Sequence, residues 1–311
     1  MTSTSVRTSV ERSGPPDVPA VSVCIPVFNK ARFVGETIRS ILAQTYGDFE
    51  VVVLENASTD GSADVIRAFD DPRIVLAHNE RTVPLVDNFN RVVAASRAPL
   101  VKVINADDML EPEALARQVA VLDEDAAVSV VSCRQSIVDE DGAVFTRGHC
   151  LRTPDLIGRQ DRETVVRRVA RHGFNPIGNP GNGMFRRSAF EACGGWRGEG
   201  IVLDITLWTE LTRYGDFYGI PEDLAVFRLA PLSHSTSART KNILRTRRFI
   251  RDLMREHADV LRFRDRVASV LRIPVTVVGS QMFFAASAAP GTLTHRIAAQ
   301  IVAARQRPTR A

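Results

Sequence analysis

An open, mostly parallel α/β sheet is the fold class this sequence predicts, and three observations carry it. β-Branched apolar runs alternate with helix-period segments four times between residues 21 and 104. The runs are mostly apolar, and the second is almost wholly β-branched, as parallel strands covered on both faces should be. Polar residues gather directly after the runs, at Pro26, Glu55 and Asp107–Asp108, where sheets of this class hold their ligands.

The elements follow in order. Residues 1–19, rich in Ser, Thr and Pro, read as a disordered tail. Residues 21–25 are the first strand, closed by Pro26, with Asn29 and Lys30 in the loop after it. Val34, Ile38, Ile41 and Leu42 recur at helical spacing, so 31–43 is an amphipathic helix. A turn at Thr45–Asp48 leads to a second strand, 50–54, and then to the polar loop ENASTDG over 55–61. Ser62 caps a helix to about Phe69, 73–76 is the third strand, 85–95 a helix, and 100–104 the fourth strand.

That strand runs into KVINADDML, residues 102–110. Two adjacent carboxylates at a strand end are costly to bury unless something positive sits on them. Hard oxygen ligands suit Mg²⁺ or Mn²⁺ completed by substrate phosphates. The alternative is a solvated turn in which Asp108 caps the helix that opens at Pro112.

The second half is less regular. A helix over 115–122, a strand over 128–133 and a strand–turn–strand over 137–145 come first. A helix over 164–171 follows, then NPIGNPGNG, a loop over 175–183. Gly194, Gly195 and Trp196 form a turn. Residues 203–211 are a helix with Leu203, Leu207, Trp208 and Leu211 on its apolar face and Asp204 at its start. A last strand falls within 218–229, and 240–311 reads as helices with Arg-rich polar faces.

Composition excludes several classes. With 44% hydrophobic and 24% charged residues in 311, the chain is globular. Four cysteines without a C-x-x-C pair indicate neither a zinc site nor a disulfide framework. No run of eighteen apolar residues and no signal-type segment occurs, so a cytoplasmic location is expected. The net charge is only +4, and Lys stands at 30, 102 and 241 alone, the other basic residues being Arg. Arg clusters from 239 to 272 beside apolar residues, which fits either an interfacial helix on the inner membrane face or a packed helix with a solvated basic face. Interleaved aromatics are missing there, so nucleic acid is not an expected partner.

Taken together, VSVCIPVFNKARFVGETIRSILAQTYGDFEVVVLENASTDGS, DPRI, DNFNRVVAAS, VINADDMLEPEAL, MFRRSAFEACGGW and VLDITLWTEL resemble the family 2 inverting glycosyltransferases of the GT-A fold. The likeness covers about residues 20–237 and divides the chain into a tail (1–19), a GT-A domain (20–238; donor half to about 125, acceptor half from about 126) and a helical C-terminal appendage (239–311). It implies transfer of a sugar from a nucleotide-diphosphate donor, uridine being the commonest nucleotide, to a hydroxyl acceptor, as in envelope polysaccharide, glycolipid or glycosylated-metabolite synthesis. It also assigns roles. Pro26, Phe28, Glu55, Asn56, Ser58 and Asp107 would hold the donor nucleotide, Asp107 through the ribose. Asp108 would ligate a divalent metal, Mg²⁺ or Mn²⁺, with His234 a second candidate ligand. Asp204 would be the general base, and Gly194, Gly195 and Trp196 would meet the acceptor.

Three departures qualify the likeness. Relatives carry Asp where Glu55 stands, often Asp where Asn105 stands, and often His where Ala230 stands. The competing reading is a GT-A-like module without catalysis that binds an anionic surface or an assembly partner through its basic tail. A dinucleotide-dependent enzyme is disfavoured, because PVFNKARF after the first strand holds no Gly-rich phosphate loop.

Overall fold

The structure, a computed structural model, describes residues 8–12, 17–172, 175–198, 200–229 and 239–271. β2 (Val21–Val27), β3 (Phe49–Glu55), β4 (Ile74–Asn79) and β5 (Leu100–Val103) form the parallel centre of the sheet in the order β4-β3-β2-β5. The chain starts in the middle, steps outward twice and returns to the far side of β2. That reversal opens a crevice beyond the carboxyl ends of β2 and β5.

All seven residues of β2 and of β3 are buried, so these runs lack the alternation of a half-exposed strand. Their side chains still divide by face. Val23, Ile25, Val51 and Val53 share one core with α1 (Val34–Leu42), α2 (Ser62–Arg67) and α4 (Ala114–Glu124). Cys24, Val52 and Leu54 share the other with α3 (Leu85–Ala94), α5 (Arg162–His172), α6 (Arg187–Ala192) and α7 (Leu203–Leu211).

Beyond β5 the sheet continues through β10 (Gly183–Arg186), β7 (Val128–Val138), β11 (Asp216–Arg228) and β6 (Met109–Leu110). β7 and β11 run parallel, and β6 lies antiparallel to β11 with Leu110 opposite Ala225. β8 (Val144–His149) pairs with β7, and β9 (Gly158–Gln160) with β11, giving eleven strands in one sheet among the described residues.

One expectation is corrected here. Residues 8–12 are not a free tail: they form β1 (Thr8–Arg12), antiparallel to β4 with Val10 opposite Ala77. Backbone pairing on the open edge of β4 drives this, and it needs no apolar signature in the sequence. The C-terminal region is helical over its described part, and its first helix packs on the domain with a solvated basic face, one of the two readings its composition allows. Phe249, Ile250 and Leu253 of α8 (Arg239–Glu256), with Leu261 after it, are buried in the core that α5 and α7 share. Arg247, Arg248, Arg251 and Arg255 point to solvent. Phe249, Ile250 and Leu253 are therefore spent on packing, while Leu244 stays exposed. Among the described residues no helix is long and apolar enough to cross a membrane. His234, Ala230 and residues 272–311 lie outside the described residues.

Candidate active site

The crevice beyond β2 and β5 encloses about 350 Å³. Pro26 and Phe28 enter it from the end of β2, Asn56 from the end of β3, and Asn105 to Asp107 from the end of β5. The loop before β10 adds Asn179 and Pro180, and α7 adds Leu203 and Asp204. Strand ends far apart in sequence thus meet at one place, as the polar loops predict.

Asp107 lines this cleft and is paired with Lys30. The Lys30 N–H is itself fixed by Ser62 Oγ at 2.8 Å, and the Ala31 N–H by Asp60 at 2.9 Å. Asp108 turns the other way. Its Oδ1 accepts the Arg228 backbone N–H at 3.0 Å and its Oδ2 accepts the Asn105 amide at 2.8 Å. Burial, with the charge of Asp107 beside it, pushes the Asp108 carboxyl up to about 8 against the pull of these two donors. Asp108 caps no helix either, α4 being preceded by Glu113 at its N-cap. The Arg228 guanidinium donates to the Asp107 carbonyl at 3.2 Å and the Glu140 carbonyl at 2.8 Å, pairs with Glu36, and lies over the Phe33 ring. Both oxygens of Asp108 are engaged by protein donors that tie the β5–β6 turn to β11, and Asp107 is the carboxylate presented to the cleft.

The loop after β3 is braced rather than displayed. Glu55 accepts the N–H groups of Ala57 at 3.1 Å and Ser58 at 2.6 Å. These bonds hold Ala57 at a φ of 54°. Ser58 Oγ accepts the Asn29 N–H at 3.0 Å, and Asn29 Oδ1 accepts the Thr59 N–H at 2.9 Å. Glu55 and Ser58 stand behind the cleft lining, bracing this loop. Asn56 lines the cleft, with its side-chain amide bonded to the backbone N–H and C=O of Val83. Phe28, 41% exposed, presents an apolar face at the mouth.

Asp204 sits in the first turn of α7, half-buried in the cleft wall. Burial pushes its carboxyl up to about 7, while bonds from the Ile205 N–H, at 2.9 Å, and from the Asn175 side chain pull the other way.

The turn at 194–196 exposes Gly194 and buries Gly195 and Trp196. Trp196 is 2% exposed, edge-on to Phe89 at 5.2 Å and to Trp208 at 6.0 Å between ring centres. Asn90 clamps its backbone, accepting the Trp196 N–H at 2.8 Å and donating to its C=O at 2.9 Å. Gly195, at φ 77°, lies where a Cβ would meet Asn90 Oδ1 at 2.7 Å. Arg186 and Arg187 are structural as well, each donating to backbone carbonyls of neighbouring elements.

Lys30 and Arg228 also line the cleft, without having been given a role there from the sequence, beside Asn179 and Pro180 of the loop over 175–183. A larger groove of about 820 Å³ lies behind α7, between it and α8. It is edged by Arg197, Arg245 and Glu210 and holds none of the strand-end residues.

A divalent metal fits these residues in one way. Among the described residues no three His, Cys, Asp or Glu side chains gather as a metal cage. Asp107 can supply one hard oxygen ligand, leaving the remainder to donor phosphates and water, as Mg²⁺ or Mn²⁺ commonly binds.

Comparison with known proteins fixes the class. The family model described as glycosyl transferase family 2 matches residues 22–194. The chain belongs to that family. The glycosyltransferase resembles an uncharacterized protein of Mycobacterium tuberculosis, MT1568, at 30% identity over 250 residues, 77% of this chain and 75% of that one. Among solved structures it resembles the mannosyltransferase PcManGT of Pyrobaculum calidifontis, in complex with GDP-Man and Mn²⁺ (TM-score 0.57, 21% identity, 94% of this chain and 82% of that one). It also resembles residues 1–349 of S. aureus TarS with UDP-GlcNAc (TM-score 0.62, 13% identity, 86% and 79% covered). At these identities the structures speak for the fold, which is GT-A, and the family makes the chain a glycosyltransferase that uses a nucleotide-sugar donor.

Proposed function

We propose that this glycosyltransferase moves a sugar from a uridine or guanosine diphosphate donor to a hydroxyl acceptor in a single inverting displacement, with Asp204 as general base and Asp107 as the carboxylate that meets the metal-bound diphosphate. The observation that carries the reading is that these two carboxylates, on different elements, line one cleft at the reversal point of the sheet. Two structural neighbours, one solved with GDP-Man and Mn²⁺ and the other with UDP-GlcNAc, support the donor class, and the first supports the metal.

In this reading the base of the nucleotide lies against Phe28 and Val83, at the mouth of the cleft. Lys30 leaves Asp107 when the diphosphate enters and pairs with phosphate oxygen. A bound Mg²⁺ or Mn²⁺ supplies neutralisation of the charge that develops on the leaving group. Asp204 takes the proton of the acceptor hydroxyl as its oxygen attacks the anomeric carbon. The bond to that oxygen forms while the bond to the diphosphate breaks, and the nucleoside diphosphate leaves with the electron pair. A carboxyl held at about 7 is ionised enough to accept a proton at neutral pH and basic enough to profit from doing so.

Calorimetric titration of UDP, GDP and dTDP, with and without Mn²⁺, tests this. One nucleotide is expected to bind tightly only with metal, and binding is expected to vanish in Asp107→Ala. Folded wild-type protein that binds none of the three would overturn the reading.

A further inference from the structure

β5, the central strand that leads to the Asp107 turn, carries a lysine in its buried middle. Lys102 is 0% exposed, yet every other residue of that strand is Leu or Val. Among the described residues its ammonium has no carboxylate to pair with. It donates instead to three neutral acceptors: Gln118 Oε1 at 2.8 Å, the Gly181 carbonyl at 2.7 Å and the Gly183 carbonyl at 3.3 Å. A buried charge of this kind is costly, and an apolar residue would fill the same space at no such cost. The arrangement needs another reason.

The two carbonyls belong to the loop that forms one wall of the cleft. Gln118, also fully buried, donates to the Asn182 carbonyl of that loop at 2.6 Å. Asn182 donates to the Cys133 carbonyl at 2.7 Å and accepts the Asn179 N–H at 3.0 Å. Gly178 accepts from Trp208 Nε1 at 2.9 Å. From this seat Asn179 and Pro180 reach the cleft, and Asn175 reaches Asp204.

We infer that Lys102 is a positioning residue for the acceptor side of the site: its ammonium gathers the carbonyls of residues 181 and 183, seats the loop 175–183, and through it sets the wall facing Asp204. The inference rests on the reading of Asp204 as the base. Burial lowers the Lys102 ammonium to about 8, which agrees with an interior that stabilises it by hydrogen bonds alone.

The test compares wild type with Lys102→Met, which keeps the length of the side chain and removes the donors, and with Gln118→Met as a milder second variant. Amide exchange over 175–183 is expected to accelerate at least tenfold while β2 and β3 keep their protection. Mn²⁺-dependent affinity for UDP or GDP is expected to stay within twofold. With UDP-GlcNAc or GDP-mannose as donor, kcat is expected to fall tenfold or more at unchanged donor KM. Acceleration spread equally over all segments, or none in the loop, would overturn the inference. If Lys102→Met does not fold, Gln118→Met decides by the same readouts. Failure of the wild type to bind any nucleotide would instead strike the proposed function and leave the exchange result standing.

Discussion

Asp108 accepts the backbone N–H of Arg228 at 3.0 Å, a bond that joins two strand ends 120 residues apart. Its neighbour Asp107 points into the cleft. Substitution should therefore separate the pair. Asp107→Ala is expected to melt like wild type and to lose metal-dependent nucleotide binding at least a hundredfold. Asp108→Ala leaves the Arg228 N–H and the Asn105 amide without acceptors, a loss of about 1–3 kcal/mol in stability. Thermal melts beside calorimetry of both variants check this, and a stable Asp108→Ala that fails to bind metal would return the ligand role to Asp108.

Asp204 should set a pH limit. With its carboxyl held at about 7, transfer is expected to rise with pH through about 7 and then level off. Asp204→Asn is expected to lose ~10²–10⁴-fold in kcat. A pH–rate profile without that ascending limb would remove Asp204 as the base.

The same carboxyl makes a stability prediction of opposite sign to its catalytic value. Its folded pKa lies above the unfolded one, so the folded chain binds the extra proton between about 4 and 7 and stability declines as pH rises through that window. Asp204→Asn removes the decline. The variant should melt higher than wild type at pH 8, on the order of 5 °C, and no higher near pH 4. Scanning calorimetry at the two pH values reads the difference.

Trp196 should matter for folding and not for substrate. Trp196→Ala opens a cavity among Phe89, Phe185 and Trp208 and is expected to cost about 3–5 kcal/mol. The milder Trp196→Phe should leave nucleotide affinity and donor KM unchanged. A raised acceptor KM in a Trp196→Phe enzyme of normal stability would bring back the stacking role.

Gly183 tests the seat of the cleft loop. A Cβ there would fall 2.3 Å from the Trp208 ring, too close for either side to yield without moving α7. Gly183→Ala is expected to lose about 1–3 kcal/mol and to impair transfer, since Asp204 rides on the same helix as Trp208. Denaturant melts and turnover of the variant give the two numbers.

How far the sequence could be read depended on how local each cause was. The runs at 21–27, 49–55 and 100–103 announce buried parallel strands because every side chain there is covered, and α7 was legible to its end residues from Leu203, Leu207 and Leu211. The convergence of Pro26 and Asp107 followed from topology, whereas Asn56 and Asp204 were reached only through the family resemblance. Direction within a turn did not: whether Asp107 or Asp108 faces the cleft depends on Arg228, which arrives from another strand. Trp196 was misread for the same reason, its partners Phe89 and Trp208 being distant in sequence. β1 escaped notice because an edge strand is held by backbone bonds that composition does not record. One signal was available and unused. In a chain whose cations are nearly all Arg, two of the three Lys, at 30 and 102, stand beside the cleft or directly beneath its wall.

The two-residue strand β6, opposite Ala225 and Val226 of β11, ties the assembly of the site to the timing of synthesis. The turn bearing Asp107 is complete only when residue 228 has been made and has come back to dock. A ribosome halfway through this message has already released every residue assigned to the donor half, yet the emerging chain lacks the partner that orients its cleft-facing carboxylate. Contacts of such long sequence separation form late and slowly. A fragment ending near residue 125 should accordingly be a poor nucleotide binder, although it contains the β2, β3 and β5 strand ends and their polar loops.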